Sequence, residues 1–149
     1  MPRLPLHMIR YHQYVGGTLT RTEEYLYTDK KSISISCSWG CPNQCRYCNS
    51  GKANFYGNFR IVNVHKLVSD IRHYKKQHGI ERFIFVDENL TGNPKHIKEM
   101  LRALNNLGIE LCIWHLELDN LDSEILELYI QESKTKWLAF GIESSVTVY

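Results

Sequence analysis

Short apolar runs alternating with amphipathic stretches limit the folds open to this chain more than any other feature. Phe83, Ile84, Phe85 and Val86 form a continuous run within Ile80 to Val86, and Ile109 to Trp114 is a second such segment. Both have strand length, and both suit a strand covered on its two faces. Between them, Ile97, Met100, Leu101 and Leu104 recur at helical spacing behind Asn93-Pro94, an N-cap residue followed by proline at the first helical position. Gly108 is expected to end that helix. Upstream, Asn63 predicts the cap of a helix over 64–78, with Val64, Leu67, Val68, Ile71 and Tyr74 on one face and Gly79 at its end. Downstream, Asp122 predicts the cap of a third helix carrying Ile125, Leu128 and Tyr129. A first strand is expected at 32–37 and a fourth from Lys136 to Gly141.

Strand then helix, repeated, predicts an α/β fold with a parallel sheet and right-handed crossovers. The first strand differs from the rest. Its serines alternate with Ile33, Ile35 and Cys37, which leaves one polar face for a wet interior if the sheet curves. Ser34 and Ser36 either line that interior or satisfy local backbone groups. Residues 1–31 read as an irregular lead with Pro2, Pro5 and Gly16-Gly17, and 32–149 as the folded unit.

The chain has 149 residues, enough for one domain with a core. Its 18 basic and 16 acidic residues leave a net charge of +2, too small to argue for nucleic acid or a membrane as partner. No apolar run reaches membrane-spanning length, and Met1-Pro2-Arg3-Leu4-Pro5-Leu6 opens no signal sequence, so a cytoplasmic setting is expected.

Five cysteines occur, and three of them fall within eight positions: Cys41-Pro42-Asn43-Gln44-Cys45-Arg46-Tyr47-Cys48. A disulfide framework spaces cysteines differently and suits small secreted domains. Cys37 and Cys112 sit in apolar runs and read as small buried hydrophobes. The crowded three read as metal ligands. Thiolates hold iron–sulfur clusters, and three of them on a four-iron cubane leave one iron open to a small molecule. Zinc is the rival, but structural zinc takes four ligands, usually in two pairs. No second Cys-x-x-Cys exists, and no residue specifies which histidine, His65 or His115 for example, would complete such a site.

The Cys-x-x-x-Cys-x-x-Cys loop after a first strand resembles the cluster loop of the radical S-adenosylmethionine (radical SAM) enzymes, and Tyr47 matches the aromatic residue common before the last cysteine. The resemblance implies a partial (β/α) barrel, of which about four parallel strands and three helices are present, with 32–149 as the N-terminal part of the core. It implies a [4Fe–4S] cluster on Cys41, Cys45 and Cys48. S-adenosylmethionine would bind the open iron and be cleaved reductively to a 5′-deoxyadenosyl radical for hydrogen abstraction from a substrate. An electron donor such as a flavodoxin or ferredoxin follows from that chemistry.

The resemblance also bears on the strand ends, where ligands bind in such folds. Val86-Asp87-Glu88-Asn89 resembles an acidic form, seen near cobalamin-dependent members, of the motif that contacts the amino group of S-adenosylmethionine. Either Asp87 or Glu88 takes that role; the competing reading is ordinary polarity at a turn. Gly141-Ile142-Glu143-Ser144 resembles the segment whose polar groups reach the ribose or amino-acid part, which assigns Glu143 and Ser144 to cofactor binding. Trp114 and His115 end the third strand without a catalytic assignment, and Arg60 reads as a surface residue. Only about four strands and three helices of the family's six strand–helix units are present and its glycine-rich adenine segment is missing, so the chain is expected to be a fragment; no Asp-x-His-x-x-Gly motif occurs, so cobalamin is expected only for a longer parent. A non-catalytic iron–sulfur or zinc module derived from such a core is the alternative.

Overall fold

The computed structural model of the protein describes residues 6, 30–52, 57–132 and 138–141. Three parallel strands form its central sheet: β1 (Ser32–Ile35), β4 (Arg82–Phe85) and β5 (Glu110–Ile113), in the order β1-β4-β5. Two short strands, β2 (Ser38–Trp39) and β3 (Arg60–Ile61), pair antiparallel beside it. Helix α1 (Asn49–Lys52) lies within the segment that β2 and β3 enclose, and α2 (Val64–His78), α3 (Pro94–Leu104) and α4 (Ser123–Glu132) make the long crossovers. The fold is α/β with a parallel sheet, consistent with part of a radical SAM (β/α) barrel.

Each long helix begins where its cap residue predicts. Asn63 Oδ1 accepts from Lys66 N at 3.2 Å, Asn93 Oδ1 from His96 N at 3.0 Å and Asp122 Oδ1 from Ile125 N at 2.9 Å. Each such bond satisfies one orphan amide and contributes about 1 kcal/mol. Gly79 closes α2, its N–H bonded to Lys75 O at 3.0 Å. Helix α3 ends earlier than Gly108, at Leu104, because Asn105 takes an extended ψ of 141° and Asn106 a left-handed φ of 63°.

Strand β1 is also shorter than expected. Beyond Ile35 the backbone leaves the sheet, because the amides of Cys37 and Ser38 bond to the Asp87 carboxylate. Of the expected fourth strand, residues 138–141 are described. Phe140 bridges Leu116 in parallel, and Leu116 N donates to Ala139 O at 3.1 Å.

The register explains the two faces of the sheet. Ile33, Phe83 and Leu111 form one row, and Ile35, Phe85 and Ile113 the next. Both rows pack into the core that also holds Leu67 and Ile71 of α2, Ile97, Met100 and Leu101 of α3, and Ile125 and Tyr129 of α4. Alternate rows face the other way. Ser34, Ile84 and Cys112 stand side by side, with Trp114 packed on the last two. Ser32, Arg82 and Glu110 make the next row, in which Arg82 Nη2 meets Glu110 Oε1 at 2.7 Å and Lys30 also bonds to Glu110.

Arg82 and Glu110 are both buried. Burial alone would raise the Glu110 carboxyl, but the bond from Lys30 and the charge of Arg82 hold it below the usual carboxylate value. Removing one member of a buried pair costs about 3–5 kcal/mol, whereas replacing both with apolar groups is often neutral. Arg82→Ala is therefore expected to lose about 3 kcal/mol in urea denaturation, and Arg82→Met combined with Glu110→Leu to regain most of it. Because the folded value of Glu110 is depressed, its contribution is present above about pH 4.3 and lost as pH falls through the folded value. The double variant should lack that acid-side loss.

Candidate functional site

Every side chain that shapes the site stands at the C-terminal end of a sheet strand or in the segment that leaves β1. Asp87, directly after β4, is 1% exposed. Its Oδ1 accepts from Cys37 N at 3.0 Å, from Ser38 Oγ at 2.6 Å and from Ser38 N. Its backbone carbonyl accepts from His115 Nδ1 at 3.0 Å, which fixes the proton on that ring nitrogen. Burial pushes the Asp87 carboxyl above its ordinary value, opposed in part by the bonds from Ser38 and Cys37. Its Oδ2 is buried without a hydrogen-bond partner among the described residues.

From this anchor the chain runs through β2 into the cysteine segment and returns through β3. Ser38 pairs with Ile61, Trp39 with Arg60, and Val62 N donates to Cys37 O at 2.8 Å. Gly40 begins the segment at φ +76°, where a side chain is strained, and an added Cβ would stand a tight 3.2 Å from Gly57 O. The loop's outer side leans on Gly92, where an added Cβ would lie 2.9 Å from Pro42 Cδ. Cys48 N donates to Cys45 O at 3.2 Å, making the turn that carries Arg46 and Tyr47.

Cys41, Cys45 and Cys48 are not joined in disulfides and have intermediate exposure, and all three line one cavity of about 570 Å³. Tyr47, 68% exposed, stands at its rim. Strand ends supply the opposite wall: Glu88 and Asn89 after β4, His115 to Asp119 after β5, and Gly141. Glu88 Oε2 accepts from Gly40 N at 3.2 Å, tying this wall to the start of the cysteine segment. His115 holds a left-handed φ of 57°, uncommon for a residue with a side chain.

Two sulfurs have N–H donors. Asn89 Nδ2 lies 3.6 Å from Cys41 Sγ, and Ser50 N lies 3.4 Å from Cys48 Sγ. Donors of this kind stabilise charge on thiolate sulfur, as cluster ligation requires. Among the described residues, no three His, Cys, Asp or Glu side chains converge on one ion position. Three thiols spread around a large cavity, with amide donors on two of them, fit a polynuclear cluster.

The structure thus brings Cys41, Cys45, Cys48, Tyr47 and Glu88 to one cavity and puts Asp87 beneath it. Glu143 and Ser144 lie outside the described residues. Ser34 is exposed and Ser36 half-buried. Cys37 and Cys112 are buried, and burial, followed by the nearby Asp87 charge, pushes the Cys37 thiol well up. Sequence reasoning gave no role to Asn89 itself and overlooked Glu117. Glu117 Oε1 accepts from Asn43 at 2.7 Å, and its Oε2 from Asn89 and Asn120 at 2.8 Å each. The signal for Glu117 was its place just beyond the third strand, where ligands bind in such folds.

The family model of the radical SAM superfamily matches residues 35–146, and the chain belongs to that superfamily. It is similar to the anaerobic magnesium-protoporphyrin IX monomethyl ester cyclase of Synechocystis sp., with 30% identity over 136 residues that cover 88% of this chain and 26% of the cyclase. It is also similar to the cytidylyl-2-hydroxyethylphosphonate methyltransferase of Streptomyces wedmorensis, with 28% identity over 73% of this chain and 20% of that protein. A third relative is the bacteriochlorophyllide d C-12(1)-methyltransferase of Chlorobaculum tepidum, with 30% identity over 52% of this chain and 17% of the enzyme. The matched region is about a quarter or less of each relative's length. No described helix is long and apolar enough to cross a membrane.

If Asp87 is the clasp of the site, its acceptor oxygen matters more than its charge. Asp87→Asn keeps an oxygen for the Cys37 and Ser38 amides and is expected to lose less than about 1 kcal/mol in thermal or urea unfolding. Asp87→Ala abandons several buried donors and should lose at least about 2 kcal/mol. The raised carboxyl value gives a second sign. Its stabilising effect is full below about pH 4 and is lost as pH rises through the folded value, so Asp87→Asn should gain on wild type across that rise.

Proposed function

We propose that this chain is the core of a radical SAM enzyme, holding a [4Fe–4S] cluster on Cys41, Cys45 and Cys48 and S-adenosylmethionine in the adjoining cavity. The observation that carries the reading is the shared cavity itself, lined by three cysteines together with Glu88 and the ends of two parallel strands. The reduced cluster, when bound, supplies the electron that cleaves S-adenosylmethionine to a 5′-deoxyadenosyl radical for hydrogen abstraction.

The chain's own residues bind and orient. Glu88, on the cavity wall, is the better placed of the two acidic candidates to accept from the cofactor's ammonium group, and Asp87, buried, holds the cysteine segment in position. Tyr47 covers the cavity beside Cys48. Gly141 lines the cavity, and the chain continues directly into Ile142-Glu143-Ser144, whose polar side chains we assign to the ribose or amino-acid part. A flavodoxin or ferredoxin is the proposed electron donor. No disulfide joins the five cysteines, which suits a reducing cytoplasmic setting. The substrate is bound by strand ends and loops around this cavity, as in barrel enzymes generally.

Anaerobic reconstitution with iron and sulfide, followed by electron paramagnetic resonance of the reduced protein, tests the reading. The wild type is expected to take up about four irons per chain and to show a signal that changes on adding S-adenosylmethionine. Ala at Cys41, Cys45 or Cys48 should abolish that signal. Glu88→Ala should keep the cluster and weaken cofactor binding about tenfold or more, the value of a charge-assisted hydrogen bond. Zinc without acid-labile sulfide in the wild type would refute the proposal.

A further inference from the structure

We infer that Asn89 and Glu117 set the reduction potential of the cluster, through a hydrogen bond to Cys41 whose direction Glu117 fixes. The inference rests on the cluster-binding reading and adds a positioning role for two residues that do not ligate the metal.

Hydrogen-bond logic assigns the Asn89 amide without ambiguity. The Glu117 carboxylate only accepts, so the amide end 2.8 Å from its Oε2 is Nδ2, with two hydrogens to place. The other end is Oδ1, which accepts from the Thr91 hydroxyl at 3.0 Å. One goes to Glu117 Oε2 at 2.8 Å and the other to Cys41 Sγ at 3.6 Å. Asn89 is 4% exposed and Thr91 fully buried, so water does not compete freely for these groups.

Glu117 also gathers amides from other elements. Asn43 belongs to the cysteine segment, Asn89 follows β4, and Asn120 lies in the short 3₁₀ turn after β5. One carboxylate thus ties the loop carrying the thiols to both strand ends that form the far wall. An N–H donor on a thiolate withdraws charge from sulfur and favours the more negative, reduced cluster. Cys48 receives its donor from the backbone of Ser50, which no substitution removes without moving the loop. Cys41 receives its donor from a side chain, so potential at this thiolate is written in the sequence at positions 89 and 117.

The test is a redox titration of the full chain, reconstituted without oxygen and followed by electron paramagnetic resonance, with iron and sulfide measured in each sample. Asn89→Ala is expected to make one-electron reduction about tenfold less favourable, which is a fall of about 59 mV in midpoint potential. Glu117→Gln takes away a negative charge, which by itself raises the midpoint, so the orienting role is read as a difference: Asn89→Ala should lower the midpoint less in the Glu117→Gln background than in the wild-type one. Asn89→Leu repeats the single-variant measurement if Asn89→Ala fails to hold a cluster. A wild-type midpoint in the loaded Asn89 variants overturns the inference and leaves the cluster-binding reading standing. Loss of the cluster from both variants also overturns it, because the network would then serve assembly and not potential. A wild type that takes up no cluster removes the reading on which the inference rests.

Discussion

The site depends on one buried carboxylate. Asp87 reaches from the end of β4 to the backbone of Cys37 and Ser38, where β1 would otherwise continue straight, and its own carbonyl holds His115 beyond β5. Three consecutive sheet strands are therefore fastened at their C-terminal ends through a single residue. The cost is a carboxyl buried almost completely, with one oxygen unpartnered among the described residues. In exchange its Oδ1 satisfies two backbone amides and a hydroxyl that would otherwise be buried without partners. The conformation so fixed is the departure of the chain from the sheet into the cysteine segment.

The two faces of the sheet divide the remaining tasks. One face and three helices make a conventional apolar core, in which Phe83, Phe85 and Leu111 are fully buried. The opposite face is mixed. Its lower row carries the Arg82–Glu110 pair, its middle row Ser34, Ile84 and Cys112, and above these open the cavity and its thiols. Polarity at both ends of that face and apolar contact in the middle separate the structural charges from the chemical ones.

What local physics controls was legible in the sequence. Asn63, Asn93 and Asp122 were readable as caps because capping is decided within a few residues. The strand at 82–85 and its neighbour at 110–113 were readable from apolar runs. The parallel sheet followed from their alternation with helices. The β2–β3 pairing was not readable, since two residues on each strand carry no periodicity and their register is set from Asp87 and Val62. The three cysteines were visible through their spacing. Glu117 was marked only by its place beyond the third strand and its role was hidden, because its three amide partners stand 3, 28 and 74 positions away and meet only when the sheet has formed. The balance between Asp87 and Glu88 was equally hidden: adjacent acidic residues look alike in sequence, and only burial separates them.

The narrow pairing of β2 with β3 has a consequence for the life of the site. The cysteine segment is joined to the fold by a ribbon two residues wide on each side and by single side-chain bonds from Glu88 to Gly40 and from Glu117 to Asn43, while the sheet beneath is held by a continuous core. Opening such a ribbon is a local event, far less costly than unfolding the domain. The sheet is thus the fixed seat of the site, and the position of the thiols above it rests on individual hydrogen bonds.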